Sequence, residues 1–301
     1  MYKKFNESWI VELLLDDLLD WNDWTVKART LPPFNLTCLG GSSMQNARYE
    51  SGLDNSPMYD TNGWRQPFKD GKMQLNDVGM SSMHAMDSHA LADLCEIVGR
   101  VDDAQKMRAR GDAMGTKIAH DLFDDVTGTF VNRWPNRSFY RRISPTSLYA
   151  MQSGAPSVAQ AESSVTTQLT AKRGFCISVS NASTPFAGND DDCYWGLPSI
   201  RADDPAFPAL GYWRGYVWGP MAQLTHWALA HEKYAASTVV TKGRKALATQ
   251  MDALFLSQYR AHRHVCENFS PHKDGAECTG MHYYHWGALS GFIGLLEAGL
   301  Y

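Results

Sequence analysis

Residues 77–123, DVGMSSMHAMDSHALADLCEIVG running into RVDDAQKMRARGDAMGTKIAHDLF, decide the fold. Met80, Met83, Leu91, Leu94 and Val98 fall along one stripe at helical spacing between Asp77 and Gly99, and a second helical run extends from about Val101 to Phe123. The Gly99-Arg100 junction between them makes the two an antiparallel pair. The same period recurs on either side. Val11, Leu14, Leu18 and Trp21 predict a helix over about 7–28, with acids opposite. Further helices are predicted near 216–232 (Val217, Met221, Leu224, Ala228), 235–259 (Leu247, Met251, Leu254) and 286–299 (Trp286, Leu289, Ile293, Leu296), with shorter pieces near 145–152 and 156–172. DDVTGTFVNRW at 124–134 reads as a short β-hairpin. No flexible linker, exact repeat or low-complexity tract interrupts the chain, which therefore reads as one mainly helical domain over 1–301.

With 44% hydrophobic and 20% charged residues, the composition excludes disordered and fibrous classes, and no apolar run approaches a membrane span. A net charge of −4 with scattered Lys and Arg gives no basic field for nucleic acid. The start, MYKKFNESWIVELLLDDLLDW, places acids inside its apolar stretch and reads as an amphipathic helix, not a signal peptide. Asn-x-Ser/Thr matches at Asn6, Asn35, Asn136, Asn181 and Asn268 lean towards a secretory route. Cys38, Cys95, Cys176, Cys193, Cys266 and Cys278 lack CxxC spacing, which argues against a zinc ribbon or redox dithiol and predicts buried free thiols.

Long irregular stretches lie at 29–76 and 173–212; loops of that length in a compact domain are usually functional or disordered, and Tyr49, Tyr59, Trp64 and Phe68 argue against disorder in the first. NARYESGLDNSP at 46–57 sets Glu50 and Asp54 among turn formers, where an acid most often caps a helix. Glu267 occupies a similar setting in CENFSP. Were these loops to converge at one mouth of a helical barrel, two separated acids would face aromatic walls from Trp213, Trp218, Tyr283 and Trp286. Glycoside hydrolysis uses such parts: one acid protonates the leaving oxygen, another carboxylate activates water, and aromatic faces hold the sugar.

Five motifs, in order, carry a more specific signal: ESGLDNSPMYD at 50–60, PSIRADDPAF at 198–207, GYWRGYVWGP at 211–220, ENFSP at 267–271 and YYHWGALSGFIGLLE at 283–297. Together they resemble the catalytic domain of glycoside hydrolase family 63, over about residues 45–299. That family includes processing α-glucosidases, bacterial glucosidases and mannosylglycerate hydrolases, and is distantly similar to trehalases. The resemblance implies an (α/α)6 barrel and inverting hydrolysis of an α-glucosidic or α-mannosidic bond, with no metal or organic cofactor. It makes Asp54 the general acid and Glu267 the general base, with Glu50, Trp213, Arg214, Trp218 and His285 lining the sugar subsite. Asn55, Tyr283 and Trp286, within or beside the same motifs, complete the expected carbohydrate-binding set.

Each assignment has a plainer competitor. Asp54 could cap a helix, Glu277 could replace Glu267 as base, Trp213 and Trp218 could be core, and Arg214 could pair with an acid such as Asp203. His285 has no metal-ligand spacing with His282, which makes a packed or hydrogen-bonded ring its default. Met58, Tyr216 and Gly219 depart from the family pattern and put the subsite shape in question. About eight helices are counted where six pairs need twelve, so the sequence predicts a barrel short at its N-terminus, with unpartnered apolar faces and a tendency to self-associate. A non-catalytic or degenerate carbohydrate-binding relative is therefore the competing reading. A helical scaffold for protein partners would leave the loop acids unexplained.

Overall fold

The computed structural model describes residues 6–61, 64–172, 174–178, 193–194, 196–209, 211–271 and 278–300. Its helices are α1 (Trp9–Arg29), α2 (Met44–Glu50), α3 (Val78–Ile97), α4 (Val101–Lys117), α5 (Val158–Ser164), α6 (Gly219–Leu229), α7 (Thr238–His262) and α8 (Ala288–Glu297). A 3-10 helix spans Pro145–Ser153, and single π-turns at Ile118–Leu122 and Val165–Leu169 extend α4 and α5.

Side-chain caps explain where several helices begin. Asp77 accepts the Met80 N–H at 2.7 Å to start α3. Ser157 and Gln160 satisfy each other's backbone N–H at the head of α5, at 3.1 and 2.9 Å. At its far end α7 stops on Arg263 in the left-handed conformation.

Packing divides the helices into two rows. α3 rests on the 3-10 helix, that segment on α6, and α6 on α8, while α1, α4 and α7 pack on this row from outside. Burial follows the division: all nine residues of the 3-10 helix are buried, against Val11, Leu15 and Asn22 of α1. The stripe expected on α1 is thus displaced, since Leu14, Leu18 and Trp21 are exposed. Polar registration explains the shift. Asn22 donates to Asp87 at 2.6 Å and Ser88 at 3.1 Å on α3, an anchor that apolar periodicity does not reveal.

Strands occur only as two-stranded antiparallel pairs among the described residues: β1 (Thr30–Leu31) with β2 (Leu36–Thr37), β3 (Phe68–Lys69) with β4 (Lys72–Met73), β7 (Asn132–Arg133) with β8 (Phe139–Tyr140), β9 (Ile177–Ser178) with β10 (Cys193–Tyr194), and two more. The hairpin expected after residue 123 is present, with β5 (Phe123–Asp124) pairing β6 (Thr129–Phe130). Near the C-terminus β11 (Cys266–Phe269) pairs β12 (Cys278–His282), with a register shift between Cys266 and Asn268. The prediction of free thiols holds for the buried Cys38 and Cys95 and fails for Cys176, Cys266 and Cys278, while the Cys193 side chain lies outside the described residues. Cys266 and Cys278 form a disulfide across this hairpin, and Cys176 is disulfide-bonded too. A pairing made by a strand return leaves no spacing signature in the sequence.

Candidate active site

The irregular segments meet at one place. Val217 exchanges two backbone hydrogen bonds with Phe269, at 2.8 and 3.0 Å, and bridges Pro198 on its other side. Asn55 closes the group: its Nδ2 donates to the Gly211 carbonyl at 2.9 Å, and its Oδ1 accepts the Trp213 N–H at 3.0 Å. The turn holding Asp54, the Gly211–Gly219 loop and the Glu267 strand are therefore tied together, although 156 residues separate Asn55 from Gly211.

Asp54 and Glu267 are held differently. Partial burial raises the Asp54 carboxyl above its ordinary value, opposed only by its own backbone N–H. Glu267, on β11, is buried and uses both oxygens: Oε1 accepts the Tyr212 hydroxyl at 3.0 Å, and Oε2 the Met281 N–H at 2.7 Å. Gly280 makes this possible, because a Cβ there would overlap the Glu267 carboxylate and its φ of +75° disfavours any other residue. Tyr212 senses both acids. Its phenol is pushed up to about 12 by burial, then by its bond to Glu267 and the charges of Glu267 and Asp54, so both carboxylates act on one hydroxyl.

Aromatic residues wall this region. Trp213 and Trp218 stack at 3.7 Å with planes 13° apart, Trp286 lies 6.1 and 5.7 Å from them, and Tyr212 meets Trp218 edge-on at 4.8 Å. Beside these rings lies a cavity of about 200 Å³, lined among others by Gly52, Leu53, Tyr59, Met221, Trp213 and Trp286, but by neither Asp54 nor Glu267. A more open hollow of about 570 Å³ between α7 and α8 contains none of the candidate acids.

Several expected sugar contacts have other employment. Glu50 closes α2 and binds the Arg29 guanidinium through both oxygens at 2.6–2.8 Å, besides accepting the Gly40 N–H at 2.6 Å. Arg214 pairs at 2.7 Å with Asp60, not Asp203, which belongs to Arg201. Asp60 also receives Arg48 at 3.3 Å and Arg142 at 3.7 Å. Trp213 and Trp218 are both buried core residues, and of the two Trp213 lines the cavity. His285 is exposed and stacks on Tyr284 at 5.3 Å, while Tyr283 is 80% exposed. Glu277 and Asn181 lie outside the described residues. Asn268, despite its sequon, is buried on β11 and accepts a hydrogen bond from Thr279, so the folded chain offers no glycan acceptor there.

Two participants escaped the sequence reading, Tyr212 and Asp60. Both lie inside motifs already singled out, GYWRG and LDNSPMYD, but their partners are distant in sequence.

Acids on converging loops that also carry stacked aromatic rings, on a helical scaffold, are parts that a glycoside hydrolase uses. The model of the mannosylglycerate hydrolase MGH1-like glycoside hydrolase domain matches residues 4–286, and the chain belongs to that family. Its fold is similar to that of the GH63 mannosylglycerate hydrolase from Thermus thermophilus solved with glucose, with a TM-score of 0.68 and 17% identity over 94% of this chain and 68% of that one. It is also similar to a sialidase (TM-score 0.67, 17% identity, 95% of this chain and 24% of that one) and to neutral trehalase Nth1 from Saccharomyces cerevisiae (0.50, 14%, 84% and 42%). At such identities the likeness is one of fold. No curated protein matches the sequence. No helix among the described residues is long and apolar enough to cross a membrane.

Proposed function

We propose that residues 1–301 form one domain of (α/α)6 type that hydrolyses an α-glucosidic or α-mannosidic bond with inversion, Asp54 serving as general acid and Glu267 as general base. The observation that carries this reading is the tie between the loops: Asn55, next to Asp54, bonds Gly211 and Trp213, and Tyr212 between them donates its hydroxyl to Glu267. Burial raises the Asp54 pKa, the direction that favours the protonated form a proton donor to the glycosidic oxygen needs. Both Glu267 oxygens act as acceptors, the form from which a base takes a proton from water. Inversion needs room for that water, so the carboxyl groups should stand roughly 6.5–9.5 Å apart when substrate is bound.

Trp213, Trp286, Tyr283 and His285 remain the sugar-facing candidates. Asn55, Arg214, Glu50 and Trp218, saturated or buried, would act by shaping the wall behind them. Purified protein would be offered mannosylglycerate, α-mannosides and α-glucosides, with proton NMR of the first-formed sugar. Release of the β-anomer is expected. An α-anomer would overturn the roles given to both acids, and saturable binding without turnover would favour the non-catalytic alternative.

A further inference from the structure

The hairpin carrying Glu267 holds a second cluster that glycoside hydrolysis does not use. His264, Cys266 and Cys278 place one nitrogen and two sulfurs within 4.8 Å of one another. The sulfurs are joined as a disulfide, across a Cα separation of 5.3 Å. His264 is oriented towards them: its Nδ1 lies 3.0 Å from the His262 carbonyl, and its Nε2 lies 3.2 Å from Cys278 Sγ. A carbonyl only accepts, so Nδ1 carries the proton of the neutral ring and the Nε2 lone pair points at sulfur. Fixing one ring nitrogen on a carbonyl so that the other is free is how metal-binding histidines are held. His282, the cross-strand partner of Cys266, brings a second imidazole to 4.3 Å from His264.

We propose that this disulfide is one of two closures of the hairpin, and that on reduction Cys266, Cys278 and His264 Nε2 become a site for a soft divalent cation such as zinc, with His282 or water as fourth ligand. The chemistry balances with an external phosphine or dithiol as reductant. Two electrons break the S–S bond and each sulfur takes a proton; the cation then displaces both protons, forms two metal–thiolate bonds and accepts the His264 lone pair. Tetrahedral zinc has Zn–S bonds of about 2.3 Å, which sets its sulfurs roughly 3.8 Å apart, a spacing that side-chain rotation can reach from the present Cα positions. Sulfur and imidazole donors select zinc over calcium or magnesium. His264 and Cys278 are half-buried, so a cation has access. Either closure would keep β12, and with it the Met281 N–H, against Glu267.

The full chain would be reduced anaerobically with a phosphine and titrated with Co2+ as the spectroscopic probe. Stoichiometric binding is expected, with thiolate-to-cobalt charge-transfer and tetrahedral d–d bands that Zn2+ abolishes, and no such bands before reduction. His264→Gln should weaken binding at least tenfold and Cys278→Ser should remove the charge-transfer band, whereas Cys38→Ser, Cys95→Ser and Cys176→Ser should leave it. Absence of the band in the reduced wild-type chain, or its survival in Cys278→Ser, overturns the proposal. Should a variant not fold, alkylation of the reduced wild-type chain decides: Zn2+ must protect Cys266 and Cys278, and equal labelling with and without Zn2+ overturns it. Turnover is not the readout, so the result stands apart from the roles of Asp54 and Glu267.

Discussion

Asp54 and Glu267 are supported in opposite ways. The turn bearing Asp54 is gripped through its neighbour, by Asn55 on Gly211 and Trp213, while the carboxylate itself accepts only its own backbone N–H. On the hairpin the strands are closed by a disulfide and the Glu267 carboxylate is pinned at both oxygens. The difference suits the two tasks proposed for them. A proton donor must follow the leaving oxygen and hold its proton, which weak contact and partial burial favour; a base must stay fixed and unprotonated beside its water.

Removing the carboxylates tests this contrast most severely. Glu267→Gln should lower kcat by about 10²–10⁴ for every substrate, and Asp54→Asn by a similar factor only where the leaving group needs a proton. Steady-state kinetics on paired substrates, one with an activated aglycone, separates the two; equal losses on both in Asp54→Asn would break the comparison. Gly280→Ala comes next. It forces a side chain into the Glu267 carboxylate at a left-handed φ, so a strain cost on the order of 1–3 kcal/mol and at least a tenfold loss of kcat are expected, measured by chemical denaturation and turnover.

Asn55→Ala sharpens the comparison from the other side. Two hydrogen bonds between distant loops are lost, at a cost of about 1–3 kcal/mol in denaturation, with KM rising as the Asp54 turn loosens from the Trp213 wall. The smallest effect concerns pH. Because the folded-state pKa of Asp54 is raised, the native chain keeps that proton longer than the unfolded chain, and stability is lost as pH rises through this window. Asp54→Asn should therefore melt slightly above wild type at neutral pH, by no more than about 2 °C, and match it below the window. A variant less stable at neutral pH would contradict the burial of this carboxylate.

Helices with a strong 3.6-residue period were legible in the sequence, as α3, α4 and α7 show, because burial of an apolar face dictates both pattern and structure. On α1 the same reasoning placed Val11 correctly but chose the exposed Leu14, Leu18 and Trp21, because Leu15 and Asn22 are the residues that face α3. At the site, the motifs named loops that the structure brings together, yet partners such as Asp60 for Arg214 and Arg29 for Glu50 were invisible. Ion pairs across 154 or 21 residues leave no period or spacing to read. The Cys266–Cys278 bond was missed for the same reason.

The stacked Trp213–Trp218 pair gives the molecule an optical property. Two indoles 3.7 Å apart couple their electronic transitions and add a split couplet to the circular dichroism. Trp64–Trp134 and Trp21–Trp24 also stack, at 4.3 and 5.0 Å, and contribute couplets of their own. Of these three pairs, the first has a member lining the cavity, Trp213, so a sugar settling against the wall would perturb its signal and leave the other two as a constant background. Occupancy could thus be followed without a label or turnover, in the Asp54→Asn chain as well, as a difference spectrum that Trp218→Phe abolishes.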